Sequence, residues 1–167
     1  MPTSENQTKT TAFEPLGDLL ADGLEEMLFD HWQEVGLDHD AVPLAPDWEH
    51  YRRMEKEGTF RIIALRQAGA LIGYSAFFVN RHLHYRHTLH AVNDYFYVAP
   101  ERRSGWVGVQ LFRDCERMMA DLGVVKIMYH IKPHVLLGAT RTGNVGRILL
   151  RLGYRHAEDC YSKILRG

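Results

Sequence analysis

Two side chains able to accept a proton, His90 and Asp94, lie in a run from Thr88 to Val98 that reads as a β-strand. Side chains alternate along a strand, which predicts His90, Val92, Asp94, Phe96 and Val98 on one face. An unshifted imidazole titrates at about 6.5, where it exchanges protons usefully. Residues 99–108 join that strand to a helix and contain Arg102, Arg103, Gly105 and Gly108. The first-turn amides of a helix have no internal partner, and their dipoles favour an anion. Glycines let backbone approach such an anion closely, and the two arginines add positive charge. This combination describes a pyrophosphate site. Neither Gly-x-x-x-x-Gly-Lys-Ser/Thr nor Gly-x-Gly-x-x-Gly is present, so it is not a nucleoside-triphosphate loop or a dinucleotide fingerprint.

His82, His84, His87 and His90 form a dense cluster, and His82 and His84 share a face if the chain is extended there. Metal ligation is one use for such a group. No His-Glu-x-x-His helix or cysteine pair accompanies it, so the expectation is a polar rim and no metal. Arg81, Arg86, Tyr74, Phe77, Phe78 and Tyr85 could meet a nucleic acid, but they match no ribonucleoprotein-type sheet motif. A formal net charge of −1 gives no strong long-range field toward polyanions. The two cysteines, Cys115 and Cys160, make no disulfide scaffold, and Cys115 reads as a core side chain. No run of 18 apolar residues suggests a spanning helix, and residues 1–11 lack a secretory apolar stretch, so the expected location is cytoplasmic.

The junction resembles the pyrophosphate loop of the GCN5-related N-acetyltransferases (GNAT superfamily), which reads Arg/Gln-x-x-Gly-x-Gly/Ala after a strand ending hydrophobic-x-Pro. Here Val98-x-Pro100 precedes Arg103 to Gly108, with Leu111 and Phe112 at apolar helix positions. Trp106 stands where the first motif glycine would be, and starting instead from Arg102 and Gly105 puts Val107 at the last small position. A second similarity lies at Leu150, Leu152 and Gly153-Tyr154, where Leu149 occupies the family's usual tyrosine position and Thr142 its asparagine.

The resemblance implies an acyltransferase that binds acetyl-CoA as acyl donor and transfers acetyl to a primary amine by direct attack on the thioester. Residues Arg102 to Gly108 (Arg102, Arg103, Ser104, Gly105, Trp106, Val107 and Gly108) would receive the diphosphate. Phe96, Tyr97 and Val98 would offer main-chain partners to the pantetheine arm, with strand 124–131 as the other wall. A lysine-like amine, pKa about 10.4, must lose a proton before it attacks. Asp94, acidic at four residues before the motif valine as is common in the family, is the leading acceptor, and His90 could act through a water chain. Glu34 and Glu49 could attract a cationic amine, and Tyr129 or Tyr161 could approach the thiol. The acceptor is an amine-bearing small molecule or protein. Because Leu149 cannot donate a proton, a non-catalytic coenzyme A-binding regulatory module is the alternative, with a nucleic-acid-contacting scaffold of the same fold behind it.

The elements that must position these groups follow from periodicity. Helical spacing predicts helices over 17–35, 46–57, 105–121 and 143–152. Strands are predicted over 60–65, 71–79, 88–98 and 124–131, with one or two more within 154–165. The exposed edge of the last could pair with a second copy to form a homodimer. The order gives an α/β (mixed α+β) fold, a central mixed, mostly antiparallel twisted sheet flanked by helices. A hydrophobic fraction of 46% supports a core. Residues 1–11 read as a flexible arm and 12–167 as a single domain.

Overall fold

The computed structural model describes residues 8–103, 106–132 and 145–165. The chain divides into two compact units, one of Met1–Met27 with Asp47–His130 and the other of Leu28–Pro46 with Ile131–Gly167.

The first unit is built on a five-stranded sheet in the order β1-β2-β3-β4-β5. Its strands are β1 (Lys9–Phe13), β2 (Phe60–Gln67), β3 (Ala70–His82), β4 (Tyr85–Val98) and β5 (Val124–Met128). The first four pair antiparallel, and β4 pairs with β5 in parallel. The mixed, mostly antiparallel sheet is therefore as predicted. Lys9–Phe13 is a correction: residues 9–11, assigned to an arm, pair with β2, Lys9 opposite Gln67 and Phe13 opposite Ile63. Arg66 secures this edge by donating to Glu14 at 2.6 and 2.8 Å and to Asp22 at 2.7 Å.

The predicted helix over 17–35 is two helices, α1 (Leu16–Ala21) and α2 (Leu24–Val35), broken at Asp22-Gly23, where Gly23 has φ +91°. Such a φ costs a glycine little and other residues more. α3 (Trp48–Glu57) starts on Asp47, whose carboxylate accepts from the His50 amide, and ends at Gly58 in the left-handed conformation. α4 (Val107–Asp121) crosses from β4 to β5.

β2 is buried along most of its length, and β3 through its central residues, because helices cover the two sheet faces. On one face Leu111, Cys115 and Met119 of α4 pack with Ile63, Phe77, Ala91 and Val98. On the other, Tyr51 of α3 packs against Phe60 and Phe78. Phe77 and Phe78 thus serve opposite cores, as alternation requires.

In the second unit, Trp32 near the end of α2 lies against Phe29 and His39. α5 (Val145–Arg151) buries Val145 and Leu149. Residues 154–165 form no strand, contrary to expectation, and most are exposed. Among the described residues no helix is long and apolar enough to cross a membrane.

Candidate active site

The geometry starts with an irregularity in β4. Phe77 pairs with Asn93 and Ala76 with Tyr95, so Asp94 is an extra residue with no partner on β3. A β-bulge of this kind bends the strand and re-aims its side chains. Alternation predicts Asp94 on the face of Phe96 and Val98, and the bulge overturns that. Phe96 stacks on Phe112 of α4, with ring centroids 3.9 Å apart, and Val98 joins the same core. Asp94 and its neighbour Tyr95 instead both reach Tyr51 of α3 on the opposite face.

The bulge is stitched by Asn93. Its buried side-chain amide donates to the Tyr95 carbonyl at 2.6 Å and the Ala76 carbonyl at 3.1 Å. Ser75 Oγ adds a bond of 3.2 Å to the Tyr95 carbonyl. Carbonyls left over by the irregular ladder are thereby satisfied without water.

β5 accompanies β4 only as far as the Val92–Met128 pair. Residues 93–98 therefore have no strand beside them on that side among the described residues. The Ala99 amide bonds to the Ile72 carbonyl of β3. Main-chain groups of successive residues point to alternate sides, so Phe96 and Val98 direct N–H and C=O into the opening, whereas Tyr97 directs its own toward β3. Gly73 lets β3 follow β4 to this end, since a Cβ there would lie 2.7 Å from the Tyr97 carbonyl oxygen.

Past Val98 the chain makes a 3-10 turn at Pro100–Arg102 and enters α4. Arg103 folds back, its Nε donating to the Val98 carbonyl at 2.7 Å and its guanidinium lying 5.0 Å from the Tyr97 ring centre. Arg102 is half exposed, with Glu101 3.9 Å away. Ser104 and Gly105 lie outside the described residues. Trp106 occupies the N-cap of α4 without a side-chain cap and is 74% exposed. The Gln110 amide donates to the Trp106 carbonyl at 2.8 Å, and the amides of Val107, Gly108 and Val109 ahead of it have no intrahelical partner among the described residues. No acidic residue stands in the first turn, and a Cβ at Gly108 would meet nothing within 4 Å. Open amides, uncancelled dipole and free space suit a diphosphate.

The Tyr51 hydroxyl donates to Asp94 Oδ2 at 2.8 Å and lies 3.1 Å from the Tyr95 hydroxyl. Among the described residues no cation pairs with Asp94. Burial pushes its carboxyl above the usual range, and the Tyr51 hydrogen bond pulls it partly back. Burial also raises the Tyr51 phenol, reinforced by its bond with Tyr95 and the charge of Asp94. Tyr95 is raised by burial first and then by the charge of Asp94, while its hydrogen bond with Tyr51 pulls it partly back. A half-buried carboxylate with raised proton affinity is thus held among aromatic rings.

Within the first unit, none of the other candidate side chains bonds to Asp94 among the described residues. His90 sits where β4 still pairs with β5, opposite Lys126, about 13 Å along the strand from Asp94 at about 3.3 Å per residue. Its Nε2 is 3.0 Å from Thr88 Oγ1, and its ring neighbours His82 and Tyr85. Glu49 is a surface residue paired with Arg53 at 3.3 Å. Glu34 belongs to α2 in the second unit. Tyr129 packs edge-on to Phe77, Phe96 and Phe112, on the α4 face. Tyr161 is 90% exposed. The cysteine beneath this face, Cys115, is buried, and its thiol is pushed up to about 12 by that burial. Among the described residues no three His, Cys, Asp or Glu side chains converge on a metal position.

Sequence reasoning passes over Tyr51, Asn93 and Tyr95. The available signals were Trp48 and Tyr51 one turn apart on a polar helix, and Asn-Asp together inside an apolar strand. β-propensity disfavours both of the latter, so they point to an irregularity.

The acetyltransferase (GNAT) family model matches residues 21–142. No curated protein sequence matches the chain. Among solved structures, an aminoglycoside acetyltransferase from an uncultured soil metagenomic sample is 13% identical with a TM-score of 0.71, covering 95% of this chain and 99% of that one. A ribosomal-protein-alanine N-acetyltransferase from Brucella melitensis is 16% identical with a TM-score of 0.64, covering 96% and 99%. A glucosamine-6-phosphate N-acetyltransferase from Arabidopsis thaliana is 12% identical with a TM-score of 0.65, covering 96% and 100%. Identities this low speak to fold, while the family match spans most of the sequence. With its interrupted β4–β5 ladder leading into an open helix N-terminus, the chain belongs to the GNAT acetyltransferase family.

Proposed function

We propose that the protein is an acetyl-CoA-dependent N-acetyltransferase acting on a primary amine by direct attack on the thioester. The observation that carries this reading is the succession of three features along β4 and into α4 within one unit: the opening beyond Val92–Met128, the bulged Asp94 and the uncapped α4. The residues present fit the donor. The amides of Val107 and Gly108, with Arg102, would hold its diphosphate. Main-chain groups of Phe96 and Val98 would take the pantetheine arm. When bound, acetyl-CoA supplies an activated acyl carbon.

The protein's part is to orient the amine, take its proton and stabilise developing negative charge. Asp94 is the proton acceptor, directly or through one water, because its raised proton affinity brings it nearer the working pH than an ordinary aspartate. The Val98 amide is the candidate donor to the oxyanion. The uncompensated carboxylate among Tyr51 and Tyr95 also attracts a cationic amine before deprotonation. The named substrates of similar folds, an aminoglycoside, a ribosomal protein and an amino sugar phosphate, are all amine-bearing, so the acceptor here is a small molecule or a protein with such a group.

Leu149 favours a second reading, a coenzyme A-binding module without turnover, because an apolar side chain stands where the family places tyrosine. The test is release of free thiol from acetyl-CoA by a panel of amines. Amine-dependent release supports transfer, whereas saturable donor binding with no release from any amine leaves only the module.

A further inference from the structure

We infer that Tyr51 is a positioning residue for Asp94, holding Oδ2 of the carboxylate so that Oδ1 is presented to the incoming amine. This deepens, and rests on, the acetyl-transfer reading of the site. Tyr51 comes from α3 and Asp94 from the β4 bulge, so the contact ties a helix to an irregular strand segment that no ladder bond holds at that residue.

The hydroxyl is well fixed. The Tyr51 ring lies 4.9 Å from Phe60, 5.8 Å from Trp48 and 6.4 Å from Phe78, centre to centre, and Trp48 is itself held by donation to Glu25 at 3.0 Å. A phenol has one proton to give. An ionised carboxylate only accepts, so that proton points to Oδ2 at 2.8 Å, and the 3.1 Å contact with Tyr95 is then one in which Tyr95 donates. The chain Tyr95 to Tyr51 to Asp94 has one direction while Asp94 is ionised. Asp94 makes no second hydrogen bond among the described residues, so Oδ1 alone is left to take the proton that the ammonium group loses before attack; the neutral amine then bonds to the acyl carbon, the carbon–sulfur bond breaks, and the second nitrogen proton leaves with coenzyme A as its free thiol.

Tyr51 also sets how much of Asp94 is ready to act. Burial favours the protonated carboxyl, and donation from Tyr51 opposes it. Removing the hydroxyl lets burial prevail, so the carboxylate fraction falls most at low pH.

The experiment compares wild type with Tyr51→Phe and Tyr95→Phe, all as full chains. It follows the Asp94 side-chain carbon by NMR across pH without ligand, and separately follows thiol release from acetyl-CoA with an amine the wild type accepts. Phenylalanine keeps the ring packing, and melting curves confirm folding. The Asp94 midpoint is expected to rise in Tyr51→Phe and to rise less in Tyr95→Phe. Turnover of Tyr51→Phe should be about tenfold below wild type on the acid limb and within about twofold on the alkaline plateau, the scale of one hydrogen bond to a charged group. As a second probe, incorporating 3-fluorotyrosine makes Tyr51 a stronger donor without altering its packing and should lower the midpoint. An unmoved midpoint in Tyr51→Phe, or a loss uniform across pH, overturns the assignment while leaving acetyl transfer standing. A wild type that releases no thiol with any amine removes the acetyl-transfer reading, and the positioning role with it, even where the midpoint moves.

Discussion

Asp94 is a residue whose chemistry and whose effect on stability pull in opposite directions. Its carboxyl binds a proton more tightly in the folded chain than the ordinary value of 3.8, chiefly through burial. A group with a raised folded pKa stabilises below its unfolded value and loses that contribution as pH rises through the folded value. Near neutrality, then, an ionised Asp94 without a cation beside it weakens the fold. Asparagine keeps an acceptor for Tyr51 and carries no charge. Asp94→Asn is expected to melt higher than wild type at pH 7.5, by about 2–4 °C for each kcal/mol relieved in a domain of this size. That advantage should fade as pH approaches about 4, where the wild-type carboxyl is itself protonated. Turnover should fall by roughly a hundredfold, the scale of one general base. Melting curves across pH, run beside thiol-release assays, check both halves. A variant that melts lower at neutral pH would show that the charge is compensated in the folded protein.

At the scale of elements, the N-terminus of α4 shows the same tension. Trp106 leaves the first turn uncapped. An aspartate or serine at an N-cap accepts from a first-turn amide and contributes about 1 kcal/mol. Trp106→Asp should therefore raise thermal stability while weakening acetyl-CoA at least about tenfold, because its carboxylate would face the diphosphate. Trp106→Ser should give the stability with a smaller loss of affinity. Calorimetry on the two variants separates capping from charge repulsion.

The strand-to-helix junction was legible in the sequence because Pro100, the arginines and Gly108 mark it by residue type. The face of Asp94 was not, because one extra strand residue reverses every later side chain and leaves no mark on hydrophobic period. β1 escaped for a related reason: Lys9-Thr-Thr-Ala-Phe13 is mostly polar and exposed and gains its place from pairing with β2. Residues 154–165 alternate like a strand yet have no neighbour to pair with among the described residues.

The β3–β4 hairpin carries another element-scale prediction. His90 is buried beside His82, Tyr85 and Lys126, and its proton affinity is lowered by burial first and then by His82 and Lys126. A depressed folded value stabilises above the unfolded value of 6.5 and is lost as pH falls. Amides of 80–90 should exchange faster, relative to the intrinsic rate, as pH drops from about 7 to 5, and His90→Gln should flatten that dependence. Hydrogen exchange read by mass spectrometry checks it, and a hairpin equally protected at both ends of the range would show that His90 is free to ionise there.

For the whole molecule the deciding quantity is whether a diphosphate-bearing acyl carrier stabilises the folded chain. Formal charge gives no help, since −1 over 167 residues supplies no general attraction for an anion. Any affinity must come from local geometry: the first-turn amides at the head of α4, Arg102, and main-chain groups of Phe96 and Val98. A ligand at a hundred times its Kd adds about 2.7 kcal/mol to the folded state. For a chain of this size that corresponds to a rise in Tm of about 5–10 °C. Acetyl-CoA and free coenzyme A should produce similar shifts, because they share the diphosphate and the arm. ATP offers phosphates without the arm and should produce less. The catalytic and non-catalytic readings both expect this pattern and part only when an amine is added, since transfer alone liberates thiol. Equal shifts from ATP and acetyl-CoA would mean that the opening between β4 and β5 takes no part in binding. No shift from any of the three would remove the anion site at α4, and the assignment of Asp94 would then have no acyl group to serve.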